Sequence, residues 1–313
     1  MTVFFSTLNQ MAFLLLLIVI GYLLVKLKAV PVESAGLLSK LENNVFIPAL
    51  VLGTFLENFT TARLSEAGQY LLCGFAVVTV TIPVAIVLAR FCAKDSYIRK
   101  IYTYGLAFSN FGFMGNAVVK ALFPDIFMSY LIFVLPFWAY IYVWGVPSLL
   151  IPVQSERRGI AARLRALINP MFISLLVGIV IGISGVVLPS FLGEAVTSLG
   201  DCMSPVAMLL TGMTIARIDL KAALKNVSVY VVSLLRLLII PAAAIAVLMV
   251  VPVEYGLALC TVCSLAMPLG LSTIVVPNAY GQDPTVAAGM ALISHLLSCA
   301  TIPLIFLLFA WVI

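Results

Sequence analysis

Apolar stretches of about 20 residues recur along nearly the whole chain, and this restricts the fold more than any other feature. A helix needs about 20 apolar residues to cross the hydrocarbon core of a bilayer. Ten stretches reach that length, at residues 6–27, 35–57, 66–91, 98–122, 126–150, 168–188, 192–216, 226–251, 256–280 and 284–311. Lipid offers backbone groups no hydrogen-bond partner, so such stretches must be helical. The predicted class is an all-α polytopic membrane protein with ten spans. Residues are 64% hydrophobic and 9% charged, and the mean hydropathy is +1.22. The polar connections are too short for a soluble catalytic or nucleic-acid-binding domain. No basic residue precedes the first stretch and no small-residue cleavage site follows it, so it is expected to remain as a span.

The net charge of +5 concerns orientation rather than a nucleic-acid partner. With the N-terminus outside, alternate loops collect fourteen of the seventeen Lys and Arg residues, from Lys26 and Lys28 through Arg157, Arg158, Arg163 and Arg165 to Lys225. Arg63 and Lys120 fall on the other side and Arg236 within a span. Cytoplasmic loops carry such an excess. Ten spans with both termini outside follow, in a plasma (bacterial inner) membrane. The basic stretch 153–167 divides the chain into 1–152 and 168–313, each with five spans. The second half must then enter the membrane inverted.

Two spans are interrupted near their middles. One contains Ser109-Asn110-Phe111-Gly112-Phe113-Met114-Gly115-Asn116, the other Met267-Pro268-Leu269-Gly270-Leu271-Ser272-Thr273. Glycine costs about 1 kcal/mol against alanine inside a helix and proline about 3. Backbone groups freed by such breaks must face protein or a wet cavity. Broken helices at matching positions in two halves mark the binding sites of secondary transporters. An internal repeat fits this: Pro48-Ala49-Leu50 resembles Pro205-Val206-Ala207, an offset of 157, and Ala121-Leu122-Phe123-Pro124-Asp125 resembles Ala279-Tyr280-Gly281-Gln282-Asp283, an offset of 158. The longer offset sets Asn110 against Pro268 and Gly112 against Gly270.

Asn44-Val45-Phe46-Ile47-Pro48-Ala49-Leu50, Ser109 to Gly115, Asn169-Pro170, Ser204-Pro205-Val206-Ala207, Pro268 and Ser298-Cys299-Ala300-Thr301-Ile302-Pro303-Leu304 together resemble the auxin efflux carrier family. That family includes PIN-FORMED exporters and bacterial malate or malonate permeases, and this chain is similar to its short prokaryotic form. Gly115 is followed here by Asn116-Ala117, where many relatives carry a glycine-x-proline. The resemblance implies a fold like that of the bile-acid/sodium symporters and NhaA, with two crossing broken helices. It implies a scaffold from 1–57 and 168–216 and a transport domain from 66–150 and 226–311. It also implies elevator-like movement of small organic anions, mono- or dicarboxylates or auxin-like acids, and pairing of two copies through the scaffold.

Asn110 and Asn116 are the first candidates for ligand contact, because an amide donates to a carboxylate or accepts from a protonated acid. Ser109, Ser272 and Thr273 add hydroxyls, and Gly112, Gly115, Pro268 and Gly270 shape the breaks. The glycines equally suit close helix packing. Asp201, Arg236 and His295 each lie about 9 to 11 residues into a span, roughly 14–17 Å at 1.5 Å per residue. Ionisable groups at that depth are costly and mark function. Arg236 suits a carboxylate; Asp201 and His295 are candidates to carry a coupling proton. An Asp201–Arg236 pair is the alternative. Glu42 reads as a water-exposed helix end. No metal site or organic cofactor is expected; H+ and Na+ are the candidate coupling ions, with uniport as the alternative. Cys260 and Cys263 read as buried small apolar residues. Gly270-Leu271-Ser272 with His295 faintly suggests a serine–histidine hydrolase, but the motif lacks its closing glycine. No HExxH or phosphate-binding loop occurs, so the chain is expected not to be an enzyme. An anion channel is the remaining alternative.

Overall fold

The computed structural model describes residues 2–31, 33–59, 64–151, 167–186, 188–217 and 224–313. Arg157, Arg158, Arg163 and Arg165 of the basic stretch, with Arg63 and Lys221, lie outside these residues.

The described chain is helical throughout, joined by turns. Helix α1 is Thr2–Lys26. Helix α2 covers residues 34–58 as Ser34–Leu41, a π-helical turn Glu42–Phe46, and Ile47–Asn58. Helix α3 is Leu64–Cys92. Two pieces follow, α4a (Ser96–Ala107) and α4b (Phe111–Leu122), then α5 (Pro124–Leu150). Helices α6 (Pro170–Ser184), α7 (Ser190–Ala216) and α8 (Val227–Leu248) lead to a second divided helix, α9a (Tyr255–Ala266) and α9b (Ser272–Ala279). The last is α10 (Thr285–Val312). Six of these (α1, α3, α5, α7, α8 and α10) are long and apolar enough to cross a membrane; α4b, α6 and α9a are shorter apolar helices. Their outer surfaces carry Leu72, Val80, Leu176 and Trp311, all well exposed. A surface this apolar suits lipid rather than water.

Local signals set the ends of these helices. Asp95 caps α4a by accepting from the Ile98 N–H at 2.9 Å. Asn169 accepts from the N–H groups of Met171 and Phe172 ahead of α6, whose first residue is Pro170. Asn226 does the same for Ser228 at the start of α8. Side-chain oxygens at these positions satisfy donors that a helix start leaves free. Gly185, at φ +67°, ends α6 in the left-handed conformation that favours glycine. Prolines shape the interiors. The π-helical turn in α2 comes just before Pro48, and another at Leu235–Ile239 comes just before Pro241. A proline ring crowds the carbonyl four residues back and has no N–H to offer it, and wider winding relieves both.

Helix α1 lies along α7, and α2 packs against both α6 and α7. A Cβ at Gly21 would strike the Leu209 backbone, and one at Gly212 would strike that of Ile18. Gly178 and Gly182 likewise bring α6 onto Phe55 and Phe59 of α2. Helix α3 packs on α4a and α5, and α8 on α9a and α10. The two groups meet where α1 lies along α10 and where α4b touches α1 and α7.

Candidate functional site

Both interruptions are real breaks, and they meet. Helix α4a ends at Ala107, and Phe108 takes an extended conformation (φ −119°, ψ 109°). Helix α9a ends at Ala266 because Met267 precedes Pro268, and a residue before proline is pushed out of the helical region; Met267 sits at φ −71°, ψ 151°. The two extended pieces then pair antiparallel, Ser109 opposite Leu269. The Asn110 N–H donates to the Pro268 carbonyl at 2.7 Å. Side chains complete the junction. The Ser109 hydroxyl donates to the Ser264 carbonyl at 2.6 Å, and Ser294 of α10 accepts from the Leu269 N–H at 3.2 Å.

Arg236 secures the same point from α8. It is fully buried. Its guanidinium donates to the carbonyls of Leu106 (2.8 Å), Ser264 (3.3 Å) and Met267 (3.3 Å). These carbonyls lie at the C-terminal ends of α4a and α9a, where helices leave acceptors unpaired and carry partial negative charge. One cation therefore serves two helix ends. The opposite halves, α4b and α9b, begin at the crossing and direct their N-terminal, partially positive ends at it. Both ends attract an anion.

The family model for membrane transport proteins matches this chain twice, over residues 6–159 and over 154–306. The chain belongs to that family, the auxin efflux carrier-like transporters. No curated protein matches it. The double match divides the chain near the basic stretch and gives each half one broken helix.

Among the candidate residues of this transporter, Asn110 and His295 come together. The Asn110 amide nitrogen is 3.2 Å from His295 Nε2, and His295 Nδ1 is 2.7 Å from the Ala291 carbonyl. Both residues are buried. Thr273 donates to the Gly270 carbonyl at 2.8 Å. Both His295 nitrogens are thus engaged away from Ser272, and no serine–histidine dyad forms. Asn116 is buried with its carbonyl oxygen unpartnered, in the wall of a cavity of about 10 Å³ beside Trp138, Leu131 and Val51. That volume is at the lower limit for one water molecule.

The glycines differ from one another. A Cβ on Gly112 would enter the Trp138 ring and one on Gly115 would strike the Tyr130 hydroxyl, so both let α5 aromatics close on α4b. A Cβ on Gly270 would meet its nearest atom, the Ser109 carbonyl oxygen, at 3.5 Å, which is ordinary contact.

Asp201 lies apart. It is exposed and pairs with Lys120 at 2.7 Å rather than with Arg236. A cavity of about 420 Å³ lies nearby, lined by Thr54 and Asn58 of α2, Thr197 of α7, and Lys120 and Asp125 from the far end of α4b and the start of α5. It runs between the two helix groups and none of the crossing residues lines it.

Glu42 corrects the reading of a water-exposed helix end. It is fully buried in the α2 π-helical turn, and neither carboxylate oxygen has a partner. Its neighbours Asn43 and Asn44 turn their amides back onto the Ser39 and Lys40 carbonyls, at 2.7 and 2.8 Å.

Proposed function

We propose that the chain is a secondary active transporter of small organic anions, mono- or dicarboxylates or auxin-like acids, with its site where α4 and α9 cross. The pairing of Ser109 with Leu269 carries this reading. It holds two helix N-termini against one point, beside the amide of Asn110, with Arg236 placed behind. A carboxylate there meets partially positive backbone and an amide donor.

In this reading all ten helices cross the plasma membrane as a five-plus-five inverted repeat, with both termini outside. Helices α1, α2, α6 and α7 form the scaffold through which two copies pair. Helices α3–α5 and α8–α10 form the body that carries the site past it, like an elevator. The 420 Å³ cavity along that boundary, with Asn58 and Lys120 at the outer side, is the external vestibule. Saturable malate uptake into proteoliposomes, with counterflow from preloaded vesicles, is the expected result. Conductance that does not saturate would make the protein a channel, and absence of any carboxylate flux would remove the anion reading.

A further inference from the structure

We infer that His295 is a proton site whose charge sets what Asn110 offers to the crossing, so that one proton and one carboxylate bind together. The inference rests on the anion reading above and supplies its coupling ion.

The argument starts from hydrogen-bond direction. His295 Nδ1 faces the Ala291 carbonyl at 2.7 Å. A carbonyl only accepts, so Nδ1 carries a hydrogen in either charge state of the ring. Nε2 faces the Asn110 amide at 3.2 Å. In the neutral ring Nε2 is bare and must accept, so Asn110 turns its NH2 towards the histidine and its oxygen elsewhere. In the imidazolium Nε2 carries a hydrogen and must donate, so Asn110 turns its oxygen towards the histidine and frees both N–H groups. Ring charge and amide orientation are therefore locked together. The neutral ring leaves Asn110 with only one free N–H, beside its oxygen, which repels a carboxylate. The charged ring leaves it presenting donors, which bind one.

The surrounding charges point the same way. Among the charged side chains on described elements packed against α10, Arg236 alone is buried; Lys26, Arg99, Lys100, Glu194 and Asp201 are exposed or partly exposed. The other titratable groups on these elements are phenols and thiols, including Cys299, whose thiol lies 3.6 Å from the His295 carbonyl. On the elements packed against α10, an imidazolium would be accompanied by the buried guanidinium of Arg236 and by no buried carboxylate. Unpaired buried charge is costly. An arriving carboxylate supplies the missing negative charge. Each ligand must therefore tighten the other by the same factor. The balance is simple: Nε2 takes one proton from water as the anion enters, the Asn110 amide turns by half a rotation, and the proton leaves from Nε2 when the anion leaves. One O–H bond of the donating hydronium breaks as the N–H bond forms, and release of the proton to water reverses both.

The chain contains a single histidine, so ring 15N labelling of protein purified without a histidine tag reports His295 alone. Solid-state spectra in lipid at pH 8, without anion, should show a hydrogen on Nδ1 and a bare Nε2. Saturating malate, or indole-3-acetate as a monocarboxylate, should protonate both nitrogens at the same pH. Malate affinity should fall by up to about tenfold from pH 7 to pH 8, one proton's worth. In His295→Gln, whose amide still meets Asn110, it should change less than about twofold. A hydrogen on Nε2 in the anion-free protein, or a ring that stays neutral with malate bound, overturns the proton site and leaves the anion reading standing. If neither carboxylate binds, the anion reading falls and the coupling falls with it.

Discussion

Replacing Arg236 with methionine tests how the crossing is held. Methionine has similar length and no donors, so three buried carbonyls, those of Leu106, Ser264 and Met267, lose their partner. Hydrogen bonds to a charged group contribute about 1.5–3 kcal/mol each. The loss is partly offset, because burying an unpaired guanidinium itself costs several kcal/mol. A net destabilisation of about 2–4 kcal/mol follows. At roughly 2 °C per kcal/mol for a large domain, the Tm should drop by about 4–8 °C. Arg236→Lys keeps the charge on a single point that cannot span three carbonyls, so it should lose about half as much. Thermal unfolding of detergent-solubilised protein, followed by tryptophan fluorescence, measures both. An unchanged Tm in Arg236→Met refutes the reasoning. An unchanged Tm with lost carboxylate binding would assign the guanidinium to the anion rather than to the helix ends.

Other consequences are simpler to state. Asn110→Ala should weaken carboxylate binding at least tenfold, one charge-assisted hydrogen bond's worth, with a normal gel-filtration profile; unchanged uptake would remove Asn110 from the site. Gly112→Ala should destabilise by about 1–3 kcal/mol through overpacking against Trp138, while Gly270→Ala should be close to neutral, and equal Tm values would contradict the packing. Lys120→Ala should shift stability by less than about 1 kcal/mol, because its partner Asp201 is exposed. Glu42→Gln should leave the Tm unchanged or raise it, since the carboxylate is buried without partners; a large drop would reveal a partner for it.

The helix breaks were legible because their causes are local. Pro268 forces Met267 to extend whatever surrounds it, and the glycines of Ser109 to Gly115 weaken α4 at the matching place. Arg236 and His295 stood out as ionisable residues deep in apolar stretches. Their partners did not, because those contacts are distant in sequence: Arg236 reaches Leu106 across 130 residues, and His295 meets Asn110 across 185. No periodicity encodes such pairings. The Asp201–Arg236 alternative failed for the same reason, since Asp201 instead finds Lys120, 81 residues away. Glu42 was misread because three polar residues in a row look like a helix end. The amides of Asn43 and Asn44 satisfy themselves on the preceding turn, and the wide turn before Pro48 carries Glu42 inward. Ser294 gave a faint signal only, as a hydroxyl beside His295.

Cysteine cross-linking between positions 109 and 269 probes the crossing most directly. With the six native cysteines replaced, Ser109→Cys and Leu269→Cys face one another as directly opposed residues of an antiparallel pair, about 4.5–5.5 Å apart at Cα, within disulfide reach. Oxidation in native membranes should join them, and saturating malate should slow the reaction by occupying the space between the broken helices. Failure to cross-link, or a rate indifferent to malate, would contradict a binding site at this crossing.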